Sequence, residues 1–155
     1  MRISYIDNNI IIYINKIYRF EDIEDIKKYL QNLFSEIKDK INIKGFYESY
    51  IYKDDNYGMV IELIKDEDEY FEYINEIDMH ITLEDKIFLY KTEDIFIDNN
   101  ILNNTEIYIY NNYYYLKITN KLDELSRIKL MEFSELTYKD TNKILNYGKK
   151  INYMI

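Results

Sequence analysis

One histidine (His80), no cysteine and three glycines (Gly45, Gly58 and Gly148) bound the chemistry open to this chain. A serine nucleophile needs an adjacent base, and His80 is the single imidazole it could recruit; thiolate metal sites are out of reach. His80 lies in Asp78-Met79-His80-Ile81-Thr82, where strand alternation turns it away from Met79 and Ile81, onto the face of Thr82. It is expected as a surface or interface histidine. Carboxylates are plentiful: Asp54/Asp55, Glu84/Asp85, Glu93/Asp94 and the run Asp66-Glu67-Asp68-Glu69 are of the type that glycosidases and metal-dependent hydrolases use. Asp54 and Asp55 fall in a turn, however, where Asp is favoured for backbone reasons. The run 66–72 lacks the alternating ligands and central glycine of a calcium loop. The glycines are isolated, so no phosphate-cradling loop can form. The residues therefore predict no catalytic, metal or cofactor-binding residue and no cofactor.

Tyrosine is the positive signal. The chain has 19, including Tyr113-Tyr114-Tyr115 in one run. If Tyr114, Leu116 and Ile118 face a core, then Tyr113, Tyr115 and Lys117 face outward. Such a row offers rigid, amphipathic area of the kind found at interface hot spots. Tyr113, Tyr115 and Lys117 are the predicted protein-interface residues, the alternative being that the row packs under a helix. Stacking on single-stranded nucleic acid would use similar rings, but 29 acidic against 20 basic residues, a net charge of −9, repels phosphate backbones and anionic membranes.

The elements that position these residues follow from hydrophobic period. At 155 residues the chain fits one ordinary domain or two small ones. Its apolar 47% has no Ala, no Trp and a single Val, Val60, with Ile, Tyr and Asn abundant, a bias that a low-GC genome explains. Residues 3–6 and 10–14 read as a hairpin across Asp7-Asn8-Asn9. From Glu21 to about Ile41, Ile23, Ile26, Leu30, Leu33, Ile37 and Ile41 form one helical stripe, with acids in the first turn and Lys38 and Lys40 in the last. A second hairpin pairs Phe46–Lys53 with Met59–Ile64, and the acidic segment 66–76 follows as a linker. Then come strands at 79–83 and 86–90, an ambiguous stretch 92–102, and a third hairpin, 106–110 with 113–119, across Asn111-Asn112. Asn120 is expected to cap a helix over 121–133 that buries Leu122, Leu125, Ile128 and Met131. Thr137 and Asp140 suggest a capping box for a last helix ending at Gly148, and 149–153 a closing strand. The fold class expected is α+β, with helices on antiparallel hairpin sheets in two small α/β sandwich units, 1–65 and 77–155.

Three segments together resemble the MecA adaptor family: Glu106 to Ile118, Leu130 to Phe133, and Ile144 to Ile151. Members carry a YYL strand, a helix ending in EYG and a closing L-x-EYGK-x-I. Here Tyr114-Tyr115-Leu116 and Asn146-Tyr147-Gly148-Lys149 stand in those places, while Glu132-Phe133-Ser134 departs from EYG. Met1-Arg2-Ile3, Asp7-Asn8-Asn9-Ile10 and Leu33-Phe34-Ser35-Glu36-Ile37 are similar to the family's N-terminal features. The resemblance implies a non-enzymatic adaptor whose first unit holds a substrate protein and whose second docks on a Clp-type AAA+ unfoldase. It assigns no individual binding residue. The expectation is thus a cytoplasmic protein with a protein partner, and with no nucleic-acid or membrane partner, open to homo-oligomerisation. The absence of cysteine, of an apolar run near the roughly 20 residues of a membrane span and of a signal-peptide pattern fits that location. The alternative is a small acidic inhibitor, such as an immunity protein or viral host-antagonist, that steers by charge onto one basic partner. An acid-based hydrolase would require a carboxylate-lined cleft.

Overall fold

The computed structural model describes residues 1–7, 9–37, 45–65, 77–95 and 98–152. The fold is α+β, and it divides into two compact units, Met1–Lys53 with Gly58–Glu84, and Asp54–Tyr57 with Asp85–Ile155. This corrects the expected split at 66–76. Residues 77–84 belong to the first unit because they form a strand in its sheet, paired in parallel through eight residues from Gly45↔Ile77 to Tyr52↔Glu84. A parallel partner some thirty positions away leaves no local trace in the sequence. The acidic segment 66–76, and Lys38, Lys40 and Ile41, lie outside the described residues. Among the described residues no helix is long and apolar enough to cross a membrane.

The first unit is a five-stranded sheet with one helix. Strands β1 (Arg2–Ile6), β2 (Asn9–Ile14), β3 (Gly45–Asp54), β4 (Gly58–Lys65) and β5 (Ile77–Glu84) lie in the order β1-β2-β4-β3-β5. The β1–β2 hairpin turns at Asp7, whose φ of 55° is left-handed. Helix α1 (Ile23–Ile37) is capped by Asp22, whose Oδ1 accepts from the Asp25 N–H at 2.9 Å, while Asp25 Oδ2 accepts from the Glu21 N–H, one residue ahead of the cap, at 3.2 Å. Ile26, Leu30, Leu33, Phe34 and Ile37 pack onto Ile10, Ile12, Ile14, Ile51, Ile61 and Leu63. Each such side chain contributes about 1.5–3 kcal/mol by leaving water. Ile23, expected in the stripe, is instead 42% exposed, since it opens the first turn ahead of the packed face.

The second unit holds β6 (Leu89–Thr92), α2 (Asn99–Leu102), β7 (Thr105–Tyr110), β8 (Tyr113–Ile118), α3 (Glu124–Phe133), β9 (Glu135–Thr137), α4 (Thr141–Tyr147) and β10 (Lys149–Ile151). Its sheet order is β10-β7-β8-β6-β9, with every pair antiparallel. The β7–β8 turn is Asn111-Asn112, with φ values of 48° and 67° that suit a primed hairpin turn. Asp123, not Asn120, caps α3, its Oδ1 accepting from the Ser126 N–H at 2.7 Å. Asn120 instead donates to Asn104 Oδ1 at 3.1 Å. The start of α3 sets which residues it buries. Ser126 and Leu130 point inward, whereas Leu125 (64%) and Ile128 (45%), expected inward, are exposed. The capping box proposed at Thr137 and Asp140 is also replaced: Thr137 ends β9, and Asp140 precedes α4 at a left-handed φ of 57° without a side-chain cap.

Two consequences can be measured. Gly58 has φ of +126°, and a Cβ there would press on the Ile14 carbonyl and come within 2.8 Å of the Lys16 backbone. Gly58→Ala should therefore lower unfolding free energy by roughly 2 kcal/mol or more in denaturant titrations, and a neutral result would refute the backbone geometry. Ser49 is 1% exposed on the α1 face of β3, and its Oγ has no hydrogen-bond partner among the described residues. Ser49→Ala should be neutral or stabilising by up to about 1 kcal/mol; a clear loss would reveal a hidden partner.

Candidate functional site

The second unit contains a cleft of about 550 Å³ lined by Lys91, Thr92, Glu93, Asp94, Tyr113, Glu132, Phe133, Ser134 and Glu135. Its walls come from the end of β6, the start of β8, the last turn of α3 and the start of β9. The pairing of β6 with β9 places Lys91 opposite Glu135, and Lys91 Nζ sits 3.9 Å from the Tyr113 ring centroid, a cation–π contact. Thr92 shapes the floor, its Oγ1 donating to the Asp94 carbonyl at 2.8 Å and accepting from the Asp94 N–H at 3.2 Å. One lysine thus faces four carboxylates, Glu93, Asp94, Glu132 and Glu135. Among the described residues, no hydrogen bond or ion pair engages the Glu93, Glu132 or Glu135 side chains. The C-terminal carbonyls of α3 add negative potential at the same place.

The residues predicted as an outward row separate. Tyr113, Tyr115 and Lys117 do share one face of β8, as alternation requires. Tyr113 lines the cleft. Tyr115 is 7% exposed and packs with Leu89 and Ile144 beneath α4, so it is core and not interface. A helix covers the middle of that face, the alternative the sequence left open. Lys117 stands 4.0 Å from Glu106, which also meets Lys150 at 3.6 Å and the Tyr108 hydroxyl at 3.0 Å. The Tyr108 hydrogen bond, then Lys150 and Lys117, hold the Glu106 carboxyl below the usual range. Lys117 therefore serves to tie β7 to β8.

Other sequence candidates are structural. His80 is exposed, and its Nδ1 lies 3.2 Å from Glu48 Oε2 across the β3–β5 pair. Asp54 closes a turn: its Oδ2 accepts from the Asn56 N–H at 3.0 Å, the Tyr57 N–H at 2.8 Å and the Tyr90 hydroxyl at 2.8 Å. Burial, then the charge and hydrogen bond of Asp54, push the Tyr90 phenol far above its ordinary value. Among the described residues, no group of three or more His, Cys, Asp or Glu is placed to hold a metal ion. The first unit has its own groove of about 600 Å³, where Tyr18 and Tyr29 meet Leu33, Lys16 and Glu36. Glu132 and Glu135 as cleft residues were missed from sequence, because only the β6–β9 pairing brings them to Glu93 and Asp94.

No family model, no curated protein and no solved structure matches the chain.

The Tyr90–Asp54 pair makes a pH prediction. Tyr29, Tyr52 and Tyr90 all hold their protons more tightly in the folded state than the ordinary value near 10. Their contribution to stability is therefore fully present below about pH 10 and is lost as pH rises above it. Tyr90→Phe should cost about 1–3 kcal/mol at neutral pH, and that deficit should shrink in the alkaline range because the variant lacks the linked proton. A deficit unchanged from neutral to alkaline pH would show that Tyr90 does not titrate this way.

Proposed function

We propose that this protein is a cytoplasmic, non-enzymatic adaptor or regulator that works by protein–protein contact, in the manner of the MecA-type adaptors that bring a substrate protein to a Clp-type AAA+ unfoldase. The observation that carries the reading is the surface of the second unit, where an acidic, aromatic cleft adjoins a helix that exposes Leu125 and Ile128. Exposed apolar side chains beside convergent charge are a feature of contact surfaces. Division into two units, each with its own concavity, supports a molecule that holds two proteins at once. Such tethering raises the effective concentration of a substrate beside its processor and needs no covalent step. The groups whose protonation is displaced fit the same reading. Tyr90 and Tyr52 donate to a turn and to a neighbouring strand, Tyr108 donates to Glu106 of its own strand, Glu106 meets Lys117 and Lys150 of the flanking strands, and Asp98 meets Lys129 of α3.

The excess of acid favours a second reading, an inhibitor that steers onto one basic partner. Immobilised protein challenged with a purified Clp unfoldase separates the two. The adaptor reading expects saturable binding and a changed ATPase rate, and the absence of both defeats it. A single tight complex with steep salt dependence, without unfoldase binding, would establish the inhibitor instead.

A further inference from the structure

Among the described residues, three of the four charged residues of α3 sit in close ion pairs and the fourth does not. Arg127 Nη2 meets Glu124 Oε1 at 3.0 Å, and Lys129 Nζ meets Asp98 Oδ2 at 2.8 Å. Glu132 is left, and it lies on the same side of the helix as Leu125 and Ile128, at the i, i+3, i+7 spacing of one face. That face is apolar through its first two turns and runs directly into the cleft, where Glu132 joins Glu93, Asp94 and Glu135. The aromatic wall of the cleft holds Lys91 over Tyr113, and among the described residues no hydrogen bond or close ion pair engages the Glu93, Glu132 and Glu135 carboxylates beside it.

We propose that this surface is the docking site for a basic, apolar segment of a partner protein. The partner's apolar side chains cover Leu125 and Ile128, and its Arg or Lys enters the cleft among Glu93, Glu132 and Glu135. The spacing sets the pattern. Leu125 and Glu132 are seven positions apart, about 10 Å along the helix axis, a distance that three residues of polyproline II chain cover at about 3.1 Å each. A segment in that conformation, which returns to the same face every three residues, therefore fits with an apolar residue and a basic residue three positions on. The rim charges fix orientation and on-rate, and the apolar anchors supply most of the affinity. The proposal rests on the contact-based reading above and gives the partner's chemistry.

The test uses the full chain and three fluorescein-labelled synthetic peptides, followed by fluorescence polarisation at low and at physiological salt. One peptide carries two leucines, each followed three residues on by an arginine; in the second the arginines become glutamates, and in the third the leucines become serines. The first should bind saturably, more weakly at higher salt, and the other two at least about tenfold more weakly. The double variants Leu125→Ser/Ile128→Ser and Glu132→Gln/Glu135→Gln should each weaken the first peptide by about fivefold or more. Because these side chains are exposed, both should keep the parent melting curve. Equal binding of all three peptides, or binding indifferent to both double variants, overturns the proposal. So does a dimer of the parent chain that Leu125→Ser/Ile128→Ser dissociates, since a second copy would then own the surface. Unfoldase binding without peptide selectivity defeats this inference alone. Peptide selectivity without unfoldase binding supports it and defeats the adaptor reading.

Discussion

The hydroxyl of Tyr90, on a ring only 1% exposed, must find an acceptor inside the second unit, and the acceptor is Asp54 at 2.8 Å. A buried hydroxyl without a partner would cost about 1–3 kcal/mol, comparable with what burial of the ring contributes. The same condition recurs at two further tyrosines. Tyr52, 3% exposed, donates to Glu62, and Tyr108 donates to Glu106. A carboxylate is an acceptor with no proton of its own to place, so it suits a phenol donor better than an amide does. Abundant tyrosine and abundant acid are thus coupled: part of the net charge of −9 is the acceptor half of the core chemistry.

From Asp54 the constraint spreads to α3. The turn that Asp54 closes also presents Asn56, itself 5% exposed, whose Oδ1 accepts from the Leu122 N–H at 2.8 Å and whose Nδ2 donates to the Asn120 carbonyl at 3.3 Å. Leu122 and Asn120 are thereby committed to the turn just before the helix, and Asp123 becomes its cap. With its start fixed there, and with Lys129 held to Asp98 at the N-terminus of α2, α3 has one rotation available. That rotation turns Ser126 and Leu130 inward and leaves Leu125 and Ile128 in solvent. The exposed stripe thus follows from a polar turn distant in sequence.

Where the chain is local, its sequence could be read. Asp7 and the Asn111-Asn112 pair marked two hairpins because they tolerate left-handed backbone, and the α1 stripe was visible because nothing competed with it. Reading failed where two local solutions were equivalent. Asn120 and Asp123 are both good caps three residues apart, and apolar residues surround α3 at 122, 125, 128, 130, 131 and 133, so no period selects a face. Tertiary hydrogen bonds made both choices. Strand β5 was assigned to the wrong unit for a related reason, its partner being parallel and remote. In the tyrosine row the alternation was legible but the cover was not: Tyr115 is buried with Ile144 of α4, while Tyr113, half-buried at the edge of the same cluster, also lines the cleft.

A helix with apolar residues on every side must leave some of them out, and a lone exposed leucine on a soluble surface needs no function. The distinction at α3 lies in what the exposed residues adjoin. Burying the opposite face would have left Ser126 in solvent and Leu125 in the core, an exchange that favours stability by the transfer free energy of a leucine, about 1.5–3 kcal/mol. The fold gives up that gain to keep the Asn56 and Asp123 hydrogen bonds, whose combined loss would cost about as much or more. Exposure of Leu125 and Ile128 is thus accounted for by structure alone. Glu132 is not accounted for in that way: among the described residues its carboxylate makes no cap and no close ion pair, only the longer-range attraction of Lys129, and it stands at the end of that apolar face among three more carboxylates. The like charges of Glu93, Glu132 and Glu135 around one concavity repel one another in the free protein, a cost that a cationic occupant reverses.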